Sequence, residues 1–268
     1  MEYELVDTGV FDQGRYFDVV VEYAKAEPED LLIRISTNRG PEAAPIDVLP
    51  MLWFRNTWSW GRDDRRPSIS AAVSPSQQTP SLVAKHWELG EYTMYCSGAD
   101  ALLFTENETN NERLYGVPSP TPYVKDAFHA YVVNGKREAV NPGATGTKAA
   151  ARYSRTINAG ETINLDLRLA SVLAEHRLEA PFADFEASLR QSKEEADEFC
   201  KVVLPPKLST DENLVARQAF AGTLWSKQYY HYVVTDWLEG DPSEPAPPPQ
   251  RRQRETIPNL AFLASWRE

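Results

Sequence analysis

The sequence predicts a mainly β chain with C-terminal helices: a large antiparallel β-sandwich over residues 1–180, followed by two helices. Two observations carry this. Up to about residue 170, short runs of aromatic and β-branched residues alternate with turn chemistry, the pattern of an antiparallel sandwich. From Pro181 the apolar period changes to three and four residues, which is helical.

The first candidate strand is Tyr16–Tyr23 (YFDVVVEY), and Leu31–Ser36 follows with partial alternation. Val48–Phe54 is a further apolar run, in which Pro50 points to a sheet edge or a bulge. Ser68–Val73, Leu82–Trp87, Tyr92–Cys96, Leu102–Thr105, Phe128–Val133, Lys148–Ile157 and Glu161–Leu169 complete the set. Asn38-Arg39-Gly40, Asn141-Pro142-Gly143 and Asn158-Ala159-Gly160 are turns between them. Asn134-Gly135 between Tyr131–Val133 and Lys136–Val140 predicts a two-residue hairpin.

Phe182, Phe185, Leu189, Ala196, Phe199 and Val203, with charged residues between them, form the stripe of an amphipathic helix. Pro205-Pro206 ends it, because proline lacks a donor and restricts the residue before it. A second helix starts near Thr210, where Ser209 and Glu212 have the spacing of a capping box, and runs to about Trp237. Its apolar and small residues cover more than one stripe, so it expects neighbours on more than one side. The proline-rich stretch Asp241–Pro249 is an extended connector.

Length and charge bound the function. The chain has 268 residues, against a prior of roughly 150 per domain. Its formal net charge of -11 argues against a nucleic-acid partner, which selects for clustered Lys and Arg. The one basic cluster, Arg251, Arg252 and Arg254, lies in the tail. Cys96 and Cys200 read as free thiols of a reducing compartment. Four scattered histidines suggest no metal site. No signal peptide is visible, and no apolar run approaches the ~20 residues of a membrane span. The expected compartment is the cytoplasm. The sequon Asn107-Glu108-Thr109 then reads as incidental.

Two tracts could carry recognition. Leu52–Gly61 (LWFRNTWSWG) packs Trp53, Trp58 and Trp60 around Arg55 and Asn56. Flat rings beside planar hydrogen-bonding groups suit the faces and hydroxyl edges of a sugar, and suit equally a buried interface between domains. Thr105–Gly116 (TENETNNERLYG) supplies amides and carboxylates, closed by Tyr115. They could pair with vicinal hydroxyls or satisfy the loop's own backbone. Asp63-Asp64, Glu106/Glu108, Glu194-Glu195 and Asp197-Glu198 are the adjacent carboxylates; none has the apolar setting that a general acid requires.

Taken in order, LWFRNTWSWG, Asn107–Gly116 (NETNNERLYG), Tyr123–Gly135 (YVKDAFHAYVVNG), Val215–Trp237 (VARQAFAGTLWSKQYYHYVVTDW) and Gly240-Asp241-Pro242 resemble bacterial proteins of glycoside hydrolase family 63, the processing α-glucosidases. The resemblance runs from Glu2 to about Arg252. It implies a β-sandwich (1–180), a linker helix (181–208) and the first helix of an incomplete (α/α)₆ toroid (209–240), with a proline-rich connector and tail (241–268). The family's inverting acid and base lie on toroid segments that have no match here, so no catalytic residue carries over. It implies no cofactor and no metal.

By the same resemblance, Arg55, Asn56, Trp58, Trp60, Asn107, Glu108, Asn110, Asn111, Arg113 and Tyr115 wall a sugar cleft or a domain interface. Trp225, Tyr229 and Tyr232 pack within the toroid. The sequence leaves the family's pattern after Pro249, enters abruptly at Met1-Glu2-Tyr3 and is one residue short at Ile35-Ser36-Thr37-Asn38, which predicts a fragment inactive by itself. The partners expected are an α-glucoside or oligosaccharide, through the complete enzyme, and a separately encoded toroid; no nucleic acid and no membrane. A free-standing carbohydrate-binding module and an interaction domain of a split enzyme are the alternatives.

Overall fold

The computed structural model describes residues 2–60, 64–72, 79–172 and 180–227, together with Val234 and Leu238. The chain divides into two compact units, Met1–Asn56 with Arg66–Leu224, and Thr57–Arg65 with Trp225–Glu268. In the second unit Trp58–Trp60 forms a turn of 3-10 helix, and Trp58 is buried.

The first unit is built on two antiparallel sheets. The larger joins β1 (Phe17–Glu27), β2 (Asp30–Arg39), β5 (Ser68–Ala71), β6 (Ser81–His86), β7 (Gly90–Cys96), β9 (Thr145–Gly146) and β11 (Thr162–Ser171), in the order β1-β2-β11-β7-β6-β5-β9. The smaller centres on β10 (Lys148–Ile157), with β3 (Ala44–Val48) and β4 (Met51–Trp53) along one side and β8 (Ala101–Thr105) along the other. The main core lies between the sheets. Ile35, Ile69, Leu82, Met94 and Leu167 of the larger sheet meet Phe104, Ala149, Ala151 and Tyr153 of the smaller.

Side-chain size explains the centre of the smaller sheet. Ala149, Ala150 and Ala151 are all fully buried. Ala149 and Ala151 face the main core, while Ala150 faces the opposite way, under Leu103, Phe128 and Val140. Covering a strand on both faces is easiest where its side chains are small.

Pro50 has the role its chemistry predicts. Val48 pairs with Tyr153 and Met51 with Ala150, so β3 and β4 follow β10 as one edge interrupted at the proline. The Pro50 carbonyl still accepts from the Ala151 amide at 3.0 Å. The donor that proline lacks falls where an edge can do without it.

One expectation is corrected. Phe128–Val133 is not a strand, and Asn134-Gly135 is not a hairpin turn. Ala127–Val133 is a helix, α2, which follows the short α1 (Asn111–Tyr115). Gly135 has φ 68°, and the Lys136 amide reaches back to the Ala130 carbonyl at 3.1 Å. That is a glycine-terminated helix end, and the left-handed residue that favours Asn-Gly in a tight hairpin favours it equally there.

Two helices close the unit. In α3 (Phe185–Val203), Leu204 turns extended ahead of Pro205, and the helix stops as the proline pair predicts. In α4 (Thr210–Trp225), the Ser209 amide donates to Glu212 Oε2 at 2.8 Å and the Glu212 amide to Ser209 Oγ at 3.3 Å, a reciprocal capping box. The helix was expected to run on to Trp237; Ser226 and Lys227 leave the helical conformation, and beyond them only Val234 of that stretch is among the described residues.

Arginines fasten the first turn of α3 to the large sheet. Buried Arg168 on β11 donates to Asp30 at 2.5–3.1 Å, to Asp184 at 2.5 Å and to the Pro181 carbonyl at 2.9 Å. Burial opposes its charge, but the hydrogen bonds to Asp30 and Asp184 outweigh that and hold its pKa above the ordinary value. Asp184 is held below the usual carboxylate range chiefly by its hydrogen bond with Arg168. Arg34 pairs with Asp166 at 2.8 Å and with Glu186, and lies 5.3 Å over the ring of Phe185. Phe185 fills a small core with Ala24 and Leu32.

Candidate functional site

The two polar tracts meet where β4 and β8 end. In Leu52–Asn56 the strand pleat sorts the side chains: Leu52 and Phe54 join the main core, while Trp53 points away and is 55% exposed. Arg55 is exposed. The Asn56 amide donates to Glu108 Oε2 and to the Asn107 carbonyl, both at 3.0 Å. Asn107 answers by donating its side-chain amide to the Phe54 carbonyl at 2.8 Å. The tracts are therefore stitched together by reciprocal amide bonds.

Thr147, between β9 and β10, supplies the next link. Its hydroxyl donates to Glu106 Oε2 at 2.7 Å and accepts from the Asn107 backbone amide at 2.8 Å. Gly146 beside it has no room for a side chain, since a Cβ there would lie 2.2 Å from the Thr105 carbonyl oxygen. Glu108 is buried, and Arg66 approaches its Oε1 at 3.6 Å. Its backbone carbonyl accepts from the Lys125 amide at 2.9 Å.

Lys148 stands directly across from Trp53 in the β4–β10 register. Its ammonium donates to the Lys125 carbonyl at 3.2 Å and lies 5.6 Å from the centre of the Phe128 ring. Its pKa is lowered, first by burial and then by the charge of Lys125.

Asn110 serves the backbone. Asn110 caps α1 by accepting from the Arg113 amide at 3.0 Å, and its own amide reaches Asp126 at 3.2 Å. At Asn111 it is the backbone N–H that is engaged, donating to Ser119 Oγ at 3.0 Å. Arg113 pairs with Asp126 at 3.0 Å. Tyr115 closes the helix, 71% exposed.

The expected wall residues thus separate into three groups. Asn56, Asn107 and Glu108 come together with Glu106, Thr147 and Arg66. Asn110, Asn111 and Arg113 organise α1 instead. Arg55 and Tyr115 are exposed, as is neighbouring Trp53, which was not among the expected residues, and Trp58 is buried. For Trp60 the backbone alone is described, Trp225 is the last residue of α4, and Tyr229 and Tyr232 lie outside the described residues. Thr147, Arg66, Ser119 and Asp126 carry no mark in the sequence that ties them to this site; Thr147 is forty residues from Asn107.

Chemically this is a bracket. A general acid or base must face the reacting atoms. Both Glu108 oxygens are turned toward Asn56 and Arg66, and a Glu106 oxygen is taken by Thr147. Among the described residues no group of three or more His, Cys, Asp or Glu could hold a metal ion. No helix among them is long and apolar enough to cross a membrane.

No family model matches the chain. A Saccharomyces cerevisiae protein, YMR196W, itself uncharacterized, is 32% identical over 271 residues, covering 88% of this chain and 25% of its own length. The chain therefore spans about a quarter of the length of the curated relative it matches. Among solved structures, a putative kojibiose phosphorylase from human microbiome aligns with a TM-score of 0.33 and 11% identity, over 79% of this chain and 22% of that one. A score that low carries no argument about fold or activity.

Proposed function

We propose that this chain is the non-catalytic β-sandwich and linker portion of a family 63-like inverting α-glucosidase, located in the cytoplasm and dependent on a catalytic toroid supplied from outside it. The observation that carries the proposal is the fate of the second polar tract. Asn107, Glu108, Asn110 and Arg113 are engaged in holding loops and a helix cap, which suits a wall and not a reaction centre. The order of the sequence motifs supports the family. The quarter-length match to a larger protein supports a part working within a whole.

In the complete enzyme, water activated by one carboxylate would attack the anomeric carbon while a second carboxylate protonates the leaving oxygen. This chain would contribute shape to that cleft through Trp53, Arg55 and Tyr115. The purified 268-residue chain is expected to release no glucose from α-linked gluco-oligosaccharides. Measurable hydrolysis by the chain alone would sink the proposal.

The open rings of Trp53 and Tyr115 favour a second reading, a carbohydrate-binding module. Titration with gluco-oligosaccharides, followed by tryptophan fluorescence, separates the two. A saturable change lost in Trp53→Ala would support the module; no change at millimolar sugar supports the dependent wall.

A further inference from the structure

Lys148 is a cation to which the fold gives no anion. On β10 it stands in one row with Trp53 of β4 and Thr105 of β8, and residues directly opposite in an antiparallel ladder share a face. It is the outer face of the smaller sheet, which Ala150 and Leu103 also occupy. The neighbours of Lys148 on this face of the sheet, Trp53, Thr105, Met51, Leu103 and Ala150, are all uncharged.

Among the described residues, neither Lys148 nor Lys125 has a carboxylate in ion-pair reach. The Lys148 ammonium bonds the Lys125 carbonyl, and the Lys125 ammonium bonds Thr109 Oγ1 at 3.1 Å. Asp126, whose charge acts on Lys148, is already held by Arg113 at 3.0 Å and Asn110 at 3.2 Å. Taking a charge partly out of water without pairing it disfavours the charged form, and a like charge nearby adds to that, which is the sense of the lowered Lys148 pKa. Elsewhere this chain pairs its less exposed cations: Arg34, Arg152 and Arg168 each meet a carboxylate. With a net charge of -11 it has no shortage of acids.

We propose that Lys148 and Lys125 receive the anionic group of an acidic sugar, one carrying a carboxylate or a phosphoryl group, whose ring lies against Trp53. This rests on the reading of Trp53 as part of a sugar-cleft wall. Trp53 is 55% exposed, and its indole offers an apolar surface to the C–H face of a sugar ring. Opposite residues of a ladder have Cβ atoms about 5 Å apart, so the indole and the Lys148 ammonium can engage one small molecule. A neutral sugar would leave the two ammonium groups as they stand. An anion would neutralise both through short charge-assisted hydrogen bonds. A lysine ammonium is a compact point charge on a flexible stem, so it suits a carboxylate or a phosphoryl group alike.

Titration of the purified chain at matched ionic strength, followed by tryptophan fluorescence, tests the site. Glucuronate and glucose 6-phosphate are expected to give saturable changes, the better of them binding at least about tenfold more tightly than glucose, the usual worth of a charge-assisted hydrogen bond. Whichever binds more tightly identifies the anion as carboxylate or phosphoryl. Lys148→Met, which keeps an unbranched stem beside Phe128, should erase the preference for acidic sugars, and Lys148→Arg should keep it. Acetylation of Lys148, read by peptide mass spectrometry, should slow in the presence of the acidic sugar and not of glucose. Acidic sugars that bind no better than glucose or not at all, or a preference that survives Lys148→Met, would overturn the anion site and leave the wall reading standing, since that reading falls to glucose release by the chain alone. Inorganic phosphate binding as tightly as the acidic sugars would overturn the part given to Trp53.

Discussion

One side-chain amide, that of Asn56, bonds both the buried carboxylate of Glu108 and the backbone carbonyl of Asn107, each at 3.0 Å. Two segments half a hundred residues apart are joined at this point, and the cost of breaking it falls on Glu108. Asn56→Ala should destabilise the chain by about 1–3 kcal/mol, the usual penalty for leaving a buried polar group short of a partner. Urea unfolding measures it. A change within a few tenths would show that the bracket carries no stability.

Arg168 gives the larger effect. Arg168→Met leaves Asp30 buried beside an apolar chain, and removing one partner of a buried pair costs about 3–5 kcal/mol. Asp184→Asn should cost far less, because that side chain is half exposed. Comparable losses in thermal melts of the two variants would contradict this ranking. The Asp184 contribution also has a defined pH sense. Its pKa is depressed in the folded chain, so its stabilisation is complete above the ordinary carboxylate value of 3.8 and fades as pH falls through the depressed one.

Cys96 sets an alkaline limit. Burial pushes its thiol from 9.0 up to about 12. A group raised in the folded state stabilises fully below its unfolded pKa and loses that contribution as pH rises through the folded value. Stability should therefore decline between about pH 9 and 12, and Cys96→Ala should flatten the decline. Burial raises the Tyr153 phenol as well, which adds a second decline in the same direction. In the native chain Cys200 should react quickly with a thiol reagent, and Cys96 only on unfolding.

The Tyr153 hydroxyl is buried with no hydrogen-bond partner among the described residues. Tyr153→Phe keeps the ring and removes the orphaned group, so it should be neutral or stabilising by about 1 kcal/mol. A loss above that in urea unfolding would reveal a partner for the hydroxyl.

Gly146→Ala should destabilise by about 1–3 kcal/mol or more, because the added carbon meets backbone and no flexible side chain can yield. A thermal melt unchanged by the substitution would mean that the β8–β9 approach relaxes freely.

Most strands were legible because each signal was local. The candidate strand Lys148–Ile157 and the turn Asn158-Ala159-Gly160 that closes it specify themselves within a few residues, as do the Ser209–Glu212 box and the stop at Pro205. Asn134-Gly135 failed for a physical reason: its left-handed glycine serves a hairpin and a helix end alike, and YVV is apolar in either period. The Asn-rich tract was half legible. Its amides do satisfy nearby backbone, as one reading held, but Asn56, Arg66 and Thr147 reach it through the fold, and no spacing encodes that.

The fastening of α3 has a mechanical consequence. Phe185, Asp184 and Glu186 hold its first turn to the sheet, while Phe199, Val202 and Val203, more than three turns on, are exposed. A rod gripped at one end is a lever with its fulcrum there. The grip extends through Leu189 to Ser192, whose hydroxyl donates to the Lys25 carbonyl at 3.4 Å, so small changes in the packing of Arg34 and Arg168 would be carried along the remaining arm of about 17 Å, at 1.5 Å per residue. The bearing of α4, tied to it by Arg217 and Asp197, is thus set by two guanidinium groups at the opposite end.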